Sequence, residues 1–326
     1  MSAPPVYNDI LAAARRLRGV SRLTPLLADT ALDELTGGRI LLKLEPLQVT
    51  GSFKVRGAYN ALDTIEPARR GAGVVAFSSG NHAQGVAWAA RRLGMPAAIV
   101  MPADAPRMKL DNTRALGAEV ITYDRMTGSR EAIAGELAES RGARLVPSFD
   151  DPQVIAGQGT AGLELMSQAG ELGLTPDQVL VCCSGGGLVS GCAIAIREVA
   201  PHCQIYTVEP EGHDDARRSL ASGRRERNPP GGSSLCDALL APSPGELTFP
   251  IMRSLLAGGV AVSDHEVLTA MAWAWRELKL VVEPGGAVAL AAVLAGRIEC
   301  RDQVTAVVIS GGNVDPTTFS AALALA

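Results

Sequence analysis

Apolar stretches of strand length alternate with longer segments of helical period along much of the chain. The pattern predicts strands at residues 40–44, 74–77, 97–101, 119–123, 178–183, 204–209 and 304–310, and helices at 81–93, 106–116, 128–141, 188–199 and 214–221. Strand then helix, repeated through short loops, predicts an α/β fold of parallel sheets covered on both faces. Two breaker-rich stretches interrupt the rhythm, Ala-Arg-Arg-Gly-Ala-Gly at 68–73 and Ser-Phe-Asp-Asp-Pro at 148–152. They predict a small domain over residues 71–150, inserted into a larger one made of 1–70 and 151–326. The polar, turn-rich stretch 222–232 reads as a surface loop.

Composition narrows the class. A hydrophobic content of 47% with 4% aromatics points to an aliphatic core, the make-up of an α/β enzyme. Thirty Lys and Arg against 34 Asp and Glu, interspersed along the chain, form no footprint for nucleic acid. The expected partner is a small molecule. Six cysteines fall at no metal-ligand spacing and read as buried thiols of a reducing compartment. The N-terminus has no secretory pattern and no window approaches the ~20 apolar residues of a membrane span, so a cytoplasmic protein is expected.

Several polar clusters sit at strand ends. Lys54 stands where the strand at 40–44 leads through Gly51-Ser52 into a predicted helix, flanked by Phe53 and Val55. Partial desolvation there would lower its pKa and make a neutral, nucleophilic amine, as Schiff-base lysines require. Ser184, Gly185, Gly186, Gly187 and Leu188 follow a strand and open a helix, so bare backbone amides could close on a phosphate; a tight turn would use the same glycines. The run matches neither a dinucleotide fingerprint nor a Walker loop, which favours a compact phosphate such as that of pyridoxal phosphate. Ser78-Ser-Gly-Asn-His82 offers short polar side chains and free amides at a helix start, suited to a carboxylate or phenolate. Ser310 ends the last predicted strand and could hydrogen-bond a ring nitrogen. Glu209-Pro-Glu-Gly-His-Asp-Asp215 could supply oxygen ligands from Glu209 and Asp215 to a hard cation, or simply cap a helix.

Taken together, Gly51-Ser-Phe-Lys-Val-Arg-Gly-Ala58, Ser78-Ser-Gly-Asn-His-Ala-Gln-Gly85, Ile155-Ala-Gly-Gln-Gly-Thr160, Ser184-Gly-Gly-Gly-Leu188 and Ser310-Gly-Gly-Asn-Val-Asp315 resemble the serine/threonine dehydratase and serine racemase family. The motifs recur in family order over nearly the whole chain. The resemblance implies a fold type II pyridoxal phosphate enzyme with two parallel-sheet α/β domains and the cofactor between them. It implies that Lys54 holds the cofactor covalently, Phe53 packs on its ring, Asn81 contacts the ring hydroxyl, residues 184–188 cradle the phosphate and Ser310 meets the pyridine nitrogen. Ser78, Asn81 and His82 would hold the substrate carboxylate, largely through backbone amides. Glu209, the carbonyl of His213, and Asp215 match the family's metal site, for magnesium or another divalent cation. A homo-oligomer, dimer or tetramer, is expected.

The expected reaction is loss of water from a β-hydroxy-α-amino acid, with threonine or serine as default substrates, giving a 2-oxo acid and ammonia. Two departures keep other outcomes open. Ser79 stands where threonine-specific members carry alanine, and its hydroxyl could act as an acid on the second cofactor face, which would give a racemase. Arg130 matches a family position able to reach a second carboxylate, which keeps 3-hydroxyaspartate in play, although a solvated helix face explains it too. Leu240 and Ala241 are less polar than the racemase pattern and suit a methyl-bearing or larger side chain. A dehydratase serving compatible-solute breakdown and a non-catalytic pyridoxal phosphate or amino acid binding protein are the further alternatives. A regulatory domain after residue 326, and with it isoleucine feedback, is not expected.

Overall fold

The structure is a computed structural model that describes residues 3–78, 80–105, 107–124, 127–229 and 231–325. Among these, the strands are β1 (Leu26–Ala28), β2 (Arg39–Leu44), β3 (Val74–Phe77), β4 (Ala97–Pro102), β5 (Glu119–Tyr123), β6 (Arg144–Leu145), β7 (Gln178–Cys182), β8 (Gln204–Pro210), β9 (Gly258–Val262) and β10 (Val304–Ile309). They form a six-stranded sheet in the order β1-β2-β10-β7-β8-β9 and a four-stranded sheet in the order β5-β4-β3-β6. All neighbouring pairs are parallel except β1 with β2. The two parallel-sheet α/β domains expected from the alternation are therefore present. The antiparallel β1 was not anticipated: it is a three-residue strand at the sheet edge, too short to show a period.

Predicted and observed elements agree closely where periodicity was strong. The helices Asn81–Leu93, Arg107–Ala115, Arg130–Arg141, Gly187–Val199 and Asp215–Ser222 lie at the expected places. Strands such as β4 and β7 are buried along their whole length, because helices cover both faces. The helix Pro152–Glu171 crosses Gly187–Val199 at close range. A Cβ on Gly191 would lie 2.3 Å from the Ile155 carbonyl oxygen and 2.6 Å from the Gly159 nitrogen, so the glycines of the 155–160 motif serve helix packing.

Charge is also buried in the larger unit. Arg56, on the helix Lys54–Asp63, has no exposed side-chain surface. Its Nε and Nη2 donate to the two Glu45 oxygens at 2.8 Å each, and Nη1 and Nη2 donate to the two Glu164 oxygens at 2.7 Å each. Lys43 Nζ, from β2, donates to Glu164 Oε2 at 2.8 Å, Gln168 Oε1 at 2.7 Å and the Thr24 carbonyl at 2.8 Å. Two cations thus meet two carboxylates with nearly every donor used, the condition under which a buried ion cluster is tolerated. It ties the first turn of the Lys54 helix to β2 and to the helix Pro152–Glu171.

Candidate active site

A cleft of about 500 Å³ opens where the C-terminal ends of β3, β7 and β10 face one another. Ligands of open parallel sheets collect at such strand ends. Phe53, Lys54, Ser78, Asn81, Ser184 and Ser310 are among the residues that line it. The structure thus brings together residues that the sequence distributes over some two hundred and fifty positions.

Lys54 is the first residue of the helix Lys54–Asp63. The chain reaches it through Thr50 and Gly51, with φ of 67° and 72°. Left-handed backbone at a β-branched threonine is unfavourable and persists because neighbours hold it. Asn313 Nδ2 donates to the Thr50 carbonyl at 2.8 Å and the Gly312 amide donates to the Gly51 carbonyl at 2.9 Å. The Phe53 amide donates to the Ser310 carbonyl at 3.1 Å. The lysine is thereby fastened to the loop after β10. Its ammonium lies 2.9 Å from the Ser148 carbonyl and 5.2 Å from the centre of the Phe53 ring. Burial pulls its pKa down to about 8, opposed by Cys182 and Glu283.

The small-sheet wall carries Ser78, Asn81, His82 and Arg130. Asn81 and His82 are buried in the first turn of the helix Asn81–Leu93. His82 Nε2 lies 2.9 Å from the Val146 carbonyl, which assigns the proton to that nitrogen. Burial and then the charge of Lys54 lower its pKa to about 3, so the ring is neutral at physiological pH. Ser78 Oγ accepts from the Gly80 amide at 3.2 Å. Arg130 lines the same cleft with its guanidinium 5.6 Å from the Phe77 ring centre, and its Nε donates to Glu131 Oε1 at 2.8 Å. Ser79 lies outside the described residues.

Opposite stands the glycine loop. Gly186 has φ of 93° and precedes the helix Gly187–Val199, whose first amides have no partner within the helix. A Cβ on Gly185 would sit 2.3 Å from the Phe149 ring, and one on Gly187 would sit 2.9 Å from Phe149 Cβ. Side chains are therefore excluded and backbone faces the cleft. Ser184 Oγ accepts from the Ala241 amide at 3.1 Å, so it also pins the apolar Leu240 and Ala241 segment to the cleft wall.

The acidic cluster lies away from this cleft's lining. Glu209 accepts from the amides of Ala216 and Arg217 at 3.0 and 2.7 Å, and Asp215 Oδ1 accepts from Asn228 Nδ2 at 2.5 Å. Asp215 Oδ2 is buried without a partner. Burial, reinforced by Asp215, pushes Glu209 well above the carboxylate range, and burial pushes Asp215 up to about 6. The His213 side chain is buried with Nδ1 unpartnered. No group of three or more His, Cys, Asp or Glu side chains among the described residues is arranged to hold a metal. The site implied by the resemblance needs two carboxylates and a backbone carbonyl.

A family model described as pyridoxal-phosphate dependent enzyme matches residues 17–311. The chain belongs to that family. It is 45% identical over 318 residues to an L-threo-3-hydroxyaspartate ammonia-lyase of Pseudomonas sp, covering 97% of this chain and 98% of that one. It is 39% identical over 312 residues to a serine racemase of Schizosaccharomyces pombe, covering 95% of each. Among solved structures, a T.th. threonine deaminase superposes with a TM-score of 0.89 at 46% identity, over 95% of this chain and 99% of that one.

The geometry fits the cofactor of a pyridoxal-phosphate dependent enzyme: a buried primary amine, an aromatic side chain next to it and a side-chain-free loop at a helix N-terminus share one cleft. Sequence reasoning missed Glu283, Asn313, Lys109, Asp237 and Arg225, which also line it. Glu283 precedes Pro-Gly-Gly and looks like one more acidic helix start among 34 acidic residues. Asn313 lies inside the Ser310–Asp315 motif, where the resemblance assigns it no role. Lys109 Nζ donates to Asp237 Oδ2 at 2.5 Å, an ion pair between the two α/β units that no local pattern announces. All six cysteines are free and buried. No helix among the described residues is long and apolar enough to cross a membrane.

Proposed function

We propose that the enzyme is a pyridoxal phosphate-dependent ammonia-lyase that removes water from a β-hydroxy-α-amino acid, yielding a 2-oxo acid and ammonia. The observation that carries this is the Lys54 amine, depressed to about 8, in a cleft faced by the glycine loop. Gly185 to Leu188 would hold the phosphate through backbone amides, Phe53 would lie against the ring, Asn81 would donate to the ring hydroxyl and Ser310 would meet the ring nitrogen. When bound, pyridoxal phosphate supplies the electron sink that acidifies the substrate's α-proton. Lys54 would take that proton, while the amides of Asn81 and His82 would fix the substrate carboxylate and so the α-carbon; the Ser78 amide, expected to join them, instead donates to the Val100 carbonyl at 3.2 Å, which leaves Ser78 its side chain for this role. The hydroxyl lost from the β-carbon would leave as water with a proton returned by Lys54, and one water would be consumed when the dehydrated product hydrolyses to the 2-oxo acid and ammonia. The likeness to an ammonia-lyase at 45% identity and to a threonine deaminase at 46% supports the reading.

Arg130 favours an acidic substrate, 3-hydroxyaspartate, as a second reading, because its guanidinium faces the cleft rather than bulk solvent alone. Arg130→Ala is expected to lower kcat/KM for L-threo-3-hydroxyaspartate by about 10- to 100-fold, the worth of a charge-assisted hydrogen bond, and to leave L-threonine within about twofold. Equal loss on both substrates would make it a structural residue. The class itself is tested by proton NMR in heavy water with L-threonine, L-serine, D-serine and the 3-hydroxyaspartates. Oxo-acid formation supports a lyase; loss of the α-proton signal with both enantiomers recovered would make the chain a racemase.

Glu209, Asp215 and the carbonyl of His213 are proposed to bind a divalent cation such as magnesium. The partnerless Asp215 oxygen and the burial of Glu209, whose pKa desolvation and then the Asp215 charge raise, support it. Magnesium at a hundredfold over its Kd would stabilise chelated protein by about 2.7 kcal/mol. Calorimetry of chelated protein should show Tm rise on adding magnesium; an unchanged Tm with magnesium, manganese and calcium would remove the site.

A further inference from the structure

Glu283 is 4% exposed and begins the helix Pro284–Leu294, yet its side chain makes no capping bond to that helix. Helix capping therefore does not explain why a carboxyl is buried here, at considerable desolvation cost. Its partner is Asn81: Asn81 Nδ2 donates to Glu283 Oε1 at 2.5 Å. The orientation of that amide follows from a chain of contacts that starts at a backbone atom. The Thr50 carbonyl can only accept, so the Asn313 group 2.8 Å from it is the amine Nδ2. The same nitrogen lies 2.7 Å from Asn81, which must present its oxygen there. Asn81 Nδ2 is thereby turned to Glu283. One N–H of Asn81 goes to the carboxyl and the second remains for the cleft that Asn81 lines. Glu283 is itself immobilised. Its amide donates to the Gly311 carbonyl at 3.1 Å, and a Cβ on Gly311 would lie 2.1 Å from Oε1, so only glycine leaves room for the carboxyl.

We propose that Glu283, with Asn313 on the other side, is a positioning residue that clamps the Asn81 amide so that its free N–H donates to the ring-hydroxyl oxygen of pyridoxal phosphate. This rests on the function proposed above. Glu283 acts as a hydrogen-bond acceptor, so glutamine, which keeps an oxygen at the same reach, preserves the clamp, whereas methionine, of similar length, abolishes it.

The test uses purified, cofactor-loaded protein and two readouts besides turnover: the visible absorption spectrum of the bound cofactor and its Kd, from titrating stripped protein with pyridoxal phosphate. Glu283→Met is expected to weaken cofactor binding on the order of tenfold, the worth of one hydrogen bond, and to displace the visible band. Asn313→Ala, which frees the other end of the amide, should displace the band in the same way and decides the matter if Glu283→Met does not fold. Glu283→Gln should keep the wild-type band and a Kd within about twofold. Wild-type spectra and Kd in the folded disrupting variants would overturn the clamp, as would a Glu283→Gln that behaves like Glu283→Met. A wild-type protein that binds no pyridoxal phosphate would overturn both this inference and the proposed function, which separates the two failures.

Discussion

Replacing Lys54 by alanine is expected to lower turnover by at least about a thousandfold, within the range that a positioned acid–base group supplies. The same substitution should remove the borohydride-sensitive visible absorption, because no other primary amine is held beside Phe53 and the glycine loop in the described cleft except Lys109, which is paired with Asp237. Full turnover in Lys54→Ala would sink the assignment. The pH dependence follows from the same burial. An ordinary lysine loses its proton near 10.5, whereas Lys54 does so at about 8. Only the neutral amine captures the cofactor's aldehyde, so the rate at which stripped protein takes up pyridoxal phosphate should rise with pH and level off above about 8. A rise that continues to pH 10 would show an unperturbed lysine.

The largest effect on stability is expected from Arg56→Met. Removing one partner of a buried ion cluster leaves the carboxylate of Glu45, which has no exposed side-chain surface, without its countercharge, at a cost of about 3–5 kcal/mol. Urea unfolding measures it. In the native protein burial raises the Glu45 pKa, but Arg56, helped by the Thr24 hydroxyl and the charge of Lys43, more than offsets this and holds it below 4.5. Without the arginine, burial, the largest influence on this group, is expected to outweigh Thr24 and Lys43 and push it above the unfolded value. The folded variant would then bind a proton that the unfolded chain releases, so the deficit should be large at pH 8 and shrink as the pH falls towards 5. A deficit independent of pH would mean that Arg56 contributes packing and little charge. Because the arginine sits two residues beyond Lys54 on the same helix, lost stability and lost activity are expected together.

Much of the architecture was legible in the sequence because parallel strands buried on both faces are continuous aliphatic runs. β3, β5 and the helix Asn81–Leu93 were placed at their observed ends. The helix Pro152–Glu171 was not foreseen; its apolar positions are mixed with glycines that make sense only against Gly191 on another helix. Of the site, the glycine loop and the loop at 78–82 stood out because each breaks an apolar run at a strand end, and Lys54 because it opens a helix after a glycine turn. Glu283 and Asn313 did not, since their significance lies in contacts with Asn81 across two hundred or more positions. The Lys43, Glu45, Arg56 and Glu164 cluster was hidden for the same reason: each charge, read alone, looks solvated.

The central place of β10 has a consequence for how the molecule is made. β10 lies between β2 and β7, and Leu44 at the end of β2 pairs with Ile309. The four-stranded sheet, by contrast, is complete once residue 145 has been synthesised. A ribosome that has released residues 1–303 displays a finished small sheet beside a large one with a strand-wide vacancy, flanked by Ile40, Leu41 and Leu42 on one side and Val179, Leu180 and Val181 on the other. Ser310 arrives with the strand that fills it, so the cofactor cradle and the aliphatic core close in the same late event.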